Sequence, residues 1–180
     1  MIRSSELTAA GLKRGVISRI MLNVVIKAST KPYSDFNIRM GCTALNALPA
    51  GNFQNVPHLV YTAAFFNTVT GPNVIKLQNP YEWDGVSNLI IQICYDNAQI
   101  GVTGGNDVVE GSTTPFISTT MRGVNGLFFG CTFPAATNTF TQRPNFTFYM
   151  CEPAPPTPPK VYKYEWIPNN SISNVWTNNI

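Results

Sequence analysis

The sequence predicts an all-β fold, an antiparallel β-sandwich or jelly roll, on three observations. Runs rich in β-branched and aromatic residues recur as far as about residue 150, clusters of Gly, Pro, Asn and Asp separate them, and within several runs every second residue is apolar. Eight short strands at this spacing are the pattern of a sandwich.

Taken in order, strands are expected at 16–27, 36–43, 58–66, 74–78, 88–96, 115–122, 127–131 and 145–150. In Phe36-Asn37-Ile38-Arg39-Met40 the apolar and polar side chains fall on opposite faces, as a half-solvated antiparallel sheet requires, and the pattern repeats from Asn145 to Met150. Helical periodicity is confined to 5–12, where Gly11 and Gly15 cut it short. Four glycines between Gly101 and Thr114 predict a long hairpin or loop at one end of the sandwich, a usual place for a binding site.

Composition narrows the function classes. Only 12% of the 180 residues are charged while 44% are hydrophobic, so Asn, Thr, Ser and Gln must cover the surface, as in many extracellular β-proteins. The net charge of +3 arises from 12 basic and 9 acidic residues scattered along the chain, which leaves no footprint for a nucleic-acid backbone. No apolar run approaches the length of a membrane span.

Cysteine usage points the same way. Cys42, Cys94, Cys131 and Cys151 contain no CxxC pair, so a structural zinc site is not expected and disulfides are allowed in an oxidising compartment. Three pairings are open. Strand parity places Leu89, Ile91, Ile93 and Tyr95 on one face with Cys94 on the other, and sets Cys151 opposite Phe146, Phe148 and Met150. Both thiols then point away from the core, which favours a Cys94–Cys151 bond if their strands are neighbours.

The chain starts Met-Ile-Arg-Ser-Ser-Glu, without a secretory apolar region. At Pro153 the composition changes to Pro-Ala-Pro-Pro-Thr-Pro-Pro, which reads as a semi-rigid polyproline II spacer. Beyond it, 161–166 alternates like a strand, and one strand is no domain. The expected organisation is therefore a β-sandwich over 1–152, a Pro-rich linker over 153–159, and over 160–180 the start of a second β-module, as in a segment of a longer exported chain.

Candidate chemistry is sparse. His58 is the single histidine and is expected to be a strand-end residue rather than a catalytic base. Asp84-Gly85 and Asp96-Asn97 have the side chains that turns favour; with Asp107 they are also the candidate oxygen ligands for calcium, the one metal considered, although no EF-hand spacing is present. Trp83 is either a sugar-stacking ring displayed on a turn or a core residue closing the sandwich, and the core role is favoured. Sequons occur at Asn145 and Asn169. No phosphate loop, dinucleotide fingerprint, metalloprotease or hydrolase-elbow motif occurs, so no catalytic residues, no cofactor and no enzyme activity are expected.

Residues 80–97, Pro-Tyr-Glu-Trp-Asp-Gly-Val-Ser-Asn-Leu-Ile-Ile-Gln-Ile-Cys-Tyr-Asp-Asn, resemble the motif PFxWDGTSNLVVEICFNN. That motif belongs to jelly-roll modules of large secreted Bacteroidota proteins, many of them cargo of the type IX secretion system. The segments 4–12 with 15–20, 36–43 and 142–146 are similar to the same modules in the same order, so the resemblance spans 3 to about 151. Tyr164-Glu165-Trp166-Ile167-Pro168 is similar to the opening of the Ig-like repeats that follow them.

The resemblance implies a jelly-roll fold and a non-catalytic adhesin-like or spacer module at the cell surface, of the gliding-adhesin kind. Its implied partners are surface glycans, other proteins and neighbouring modules of the same chain. Where the family carries a tyrosine-rich stretch, this chain has Met121-Arg122-Gly123-Val124, which marks Arg122 as a ligand-binding candidate beside Trp83 and Asp107. The alternative is a carbohydrate-binding accessory module of a secreted hydrolase.

Overall fold

A computed structural model describes residues 1–96, 105–123, 131–133 and 135–151. The linker at 153–159, the segment 160–180 and nearly all of the strand expected at 127–131 lie outside the described residues. Within them the chain is all-β, with antiparallel strands and one short helix, α1 (Ser4–Ala9).

The long strands are β1 (Gly15–Ile26), β2 (Tyr33–Thr43), β3 (His58–Phe66), β4 (Gly71–Trp83) and β5 (Asn88–Asp96). Shorter ones follow: β6 (Val108–Val109), β7 (Gly111–Thr113), β8 (Thr119–Met121), β9 (Asn138–Phe140), β10 (Gln142–Pro144) and β11 (Thr147–Cys151). One sheet runs β11-β1-β4, with β6 on the far end of β1, and a second runs β3-β2-β5; β10 pairs β7 and β8 pairs β9.

The inner faces of the two sheets share one core. Ile17, Ile20, Ile75, Leu77, Tyr81 and Trp83 come from the first sheet and meet Phe36, Ile38, Met40, Val60 and Leu89 from the second. Ile17 and Ile20 are three residues apart, yet both are fully buried, which strict alternation forbids. The register of β1 slips between Ile17 and Arg19 against both neighbours, and this bulge resets the phase so that both isoleucines point inward.

β4 is longer than the predicted 74–78. Pro72 and Pro80 read as strand punctuation, but β4 is an edge strand, where a missing N–H removes no ladder bond. The expected strand at 115–122 is strand only over Thr119–Met121; ahead of it Phe116 joins Met1, Leu48, Val56 and Ile90 in a second cluster against the second sheet. Gly41 permits that cover: a Cβ there would sit 3.2 Å from Pro57 Cδ.

The helix is anchored by charge as well as by Leu7. Glu6 accepts two hydrogen bonds from the Arg143 guanidinium, each 2.9 Å, and a third from the Arg3 N–H at 2.8 Å. The Arg143 bonds hold the Glu6 carboxyl below its ordinary pKa and tie α1 to β10. No helix among the described residues is long and apolar enough to cross a membrane.

Candidate functional site

A concavity lies where the edge strands β3 and β4 part. It encloses about 460 Å³ and is lined by 57–60 and 79–82. The register of β4 produces it: Tyr81 opposes Ile17 and Lys76 opposes Arg19, so four residues of β4 bulge out over one of β1. Above the opening the edges are tied by side chains. The Gln78 amide donates to Thr62 O at 2.8 Å and accepts from Thr62 N at 3.0 Å, and Asn79 Nδ2 donates to Leu59 O at 3.0 Å.

His58 opens β3, is exposed, and meets the Tyr81 ring edge-on at 5.5 Å between centroids. The Tyr81 hydroxyl donates to Cys42 Sγ at 3.2 Å, and burial together with that thiol raises the pKa of the phenol. Glu82 pairs with Arg14 at 3.3 Å. Imidazole, hydroxyl and carboxylate thus line one cleft, with the hydroxyl bonded to Cys42 and the carboxylate paired with Arg14. A proton relay needs them in series.

The three sequence-predicted ligand residues do not come together. Trp83 corrects the display reading: it is fully buried, and its indole Nε1 donates to Ser87 O at 2.9 Å, so no ring face is open to a sugar. The adjoining turn uses Asp84 structurally, since its Oδ1 accepts from Val86 N at 2.9 Å and Ser87 N at 2.8 Å while Gly85 takes φ +82°. Trp83 opposes Gly15 at the start of β1.

Asp107 lies beyond the other end of β1, against Ala28 and Ser29. Its carboxylate accepts from Ala28 N at 2.8 Å, Ser29 N at 2.7 Å, Ser29 Oγ at 3.0 Å and the Thr68 hydroxyl, and Lys27 Nζ stands 3.4 Å away. Burial pushes this carboxyl up, but the bonds from Thr68, Ser29 and Ala28 outweigh it and leave the pKa well below the ordinary value. With its oxygens already taken by protein donors and an ammonium alongside, Asp107 is a structural clasp on the loops after β1 and β3. Among the described residues no three His, Cys, Asp or Glu side chains gather as a metal would need.

Arg122 lies over the ring of Phe133, 4.3 Å from its centroid, and its buried Nε has no hydrogen-bond partner among the described residues.

The cysteine pairing also differs from the parity estimate. Cys94 bonds Cys131, with Cα atoms 5.2 Å apart, while Cys42 and Cys151 are free thiols. Cys151 opposes Val16 in the first sheet and Cys94 opposes Asn37 in the second, so their strands are not neighbours.

One surface escapes sequence reading altogether. On the outer face of β11-β1-β4, Arg19 stands directly between Tyr149 and Lys76, and Met21 between Thr147 and Val74. Arg19 and Lys76 are exposed, Val74 and Tyr149 are 51% and 40% exposed, and the Tyr149 hydroxyl reaches Met21 Sδ at 3.9 Å. Three stretches far apart in sequence form this row, so no local motif announces it.

No known protein family, curated protein or solved structure matches the chain.

Proposed function

We propose that the chain is a non-catalytic binding or spacer module of a large exported bacterial cell-surface protein, adhesin-like in the manner of the Bacteroidota jelly-roll modules it resembles. In this reading residues 1–152 form the jelly roll, 153–159 space it from its neighbour, and 160–180 open an Ig-like module. The module works without a cofactor.

The observation that carries the proposal is the Cys94–Cys131 bond, because disulfides persist in oxidising compartments and are rare in the bacterial cytosol. The cleft between β3 and β4 adds support, since the Tyr81 hydroxyl is bonded to Cys42 and Glu82 is paired with Arg14. A gliding-motility adhesin carried by type IX secretion is the specific form proposed. The accessory module of a secreted hydrolase is the weaker reading, because the buried Trp83 is withdrawn as its sugar platform.

The test is to label intact, unpermeabilised cells with an antibody against residues 1–151 and to measure attachment after in-frame deletion of the module. Surface labelling with weakened attachment or a shortened surface filament is expected. Labelling only after permeabilisation would sink the proposal, as would a deletion strain that attaches normally with its filament intact.

A further inference from the structure

In a β-sheet, like charges directly opposite one another destabilise the pair, and opposite charges usually occupy such positions. Arg19 and Lys76 break that rule. They face each other across the central and edge strands, and neither has an ion-pair partner among the described residues. The described carboxylates flanking this row are engaged: Glu110 accepts from Asn23 Nδ2 at 3.0 Å and Glu82 pairs with Arg14.

The third member of the row is aromatic. Its contact with Met21 Sδ, two residues along the neighbouring strand, shows that the Tyr149 ring leans across the sheet instead of standing upright from it. A ring laid down in this way offers a face on which the C–H face of a sugar can stack. The row from Tyr149 through Arg19 to Lys76 crosses two strand spacings, about 10 Å, the length of a disaccharide.

We propose that the outer face of the β11-β1-β4 sheet is a docking site for an acidic polysaccharide, with Tyr149 stacking on one sugar and Arg19 and Lys76 pairing with the carboxylate or sulfate groups of the next. The inference rests on the reading of the chain as an exported binding module and gives that module its ligand class. Two cations are too few for a nucleic acid, where specific binders neutralise several phosphates, and the aromatic member is what a sugar adds to the requirement. The Arg19–Lys76 repulsion is then relieved by the ligand.

The experiment uses the purified 180-residue chain with polygalacturonate and dextran sulfate as acidic probes and unsulfated dextran as the neutral one. Anionic phospholipid vesicles and duplex DNA serve as competing classes. Binding to at least one acidic glycan, weakening as salt rises and absent for dextran, is expected. The double variant Arg19→Glu with Lys76→Glu should lose about tenfold or more in affinity, and Tyr149→Ala about fivefold, whereas Lys13→Glu should bind as the parent does.

If the double Glu variant does not fold, Arg19→Gln with Lys76→Gln provides the same comparison. Equal binding to dextran, unchanged affinity in the charge variants, no binding to either acidic glycan, or preference for vesicles or DNA would overturn the proposal. Surface labelling on cells without acidic-glycan binding would remove this ligand class and leave the surface-module reading standing; binding by a protein confined inside the cell would do the reverse.

Discussion

Asp107 shows how a single side chain can look like a ligand in sequence and act as a clasp in the fold. Its folded-state pKa lies below that of an unfolded aspartate, about 3.9, so its contribution is present above that value and is lost as the pH falls through the folded-state value. Asp107→Asn is expected to cost about 2 kcal/mol in urea denaturation at pH 7, and the gap from the parent should narrow on approaching pH 3; a constant gap would refute the role. Trp83 is the complementary case, a residue flanked by turn formers whose ring nonetheless fills the core. Trp83→Ala should lower stability by about 3–5 kcal/mol, and saturating sugar should leave the emission of Trp83 unchanged.

At the scale of elements, the long strands were legible because β-branched runs and alternation report them locally: β3 and β5 match their predicted bounds, and β1 and β2 differ by a few residues at their ends. The rest depended on position in the sheet. Pro72 and Pro80 hid the length of β4 because edge placement is a tertiary fact, and the two- and three-residue strands β6 to β10 are too short to show a period. Parity predicted which way Cys94 points but could not supply its neighbour. With the bonded cysteines 37 positions apart, the paired change Cys94→Ser and Cys131→Ser should cost about 3–4 kcal/mol, and non-reducing peptide mapping should recover these two residues on one linked peptide. Reductant should destabilise the Cys42→Ser with Cys151→Ser variant as much as the parent. The Gln78 amide, which mimics a strand by bonding both backbone groups of Thr62, guards two open edges at once. Gln78→Ala should cost about 1 kcal/mol and raise the rate of aggregation measured by light scattering; unchanged scattering would argue that the edges need no such guard.

For the whole molecule, a four-stranded and a three-stranded sheet around one core leave most chemistry to surfaces, and surfaces are where sequence is least informative. The fold class followed from pattern, whereas the row of Tyr149, Arg19 and Lys76 is assembled by register between strands separated by up to about 130 positions. The Cys94–Cys131 bond has one more effect at this scale, since it closes a covalent ring around the glycine-rich stretch between β5 and β6. Should an extracellular protease nick that stretch, the two fragments would stay joined, run as a single band on a non-reducing gel and separate only after reduction. A break point in a bare chain becomes a tether in this one.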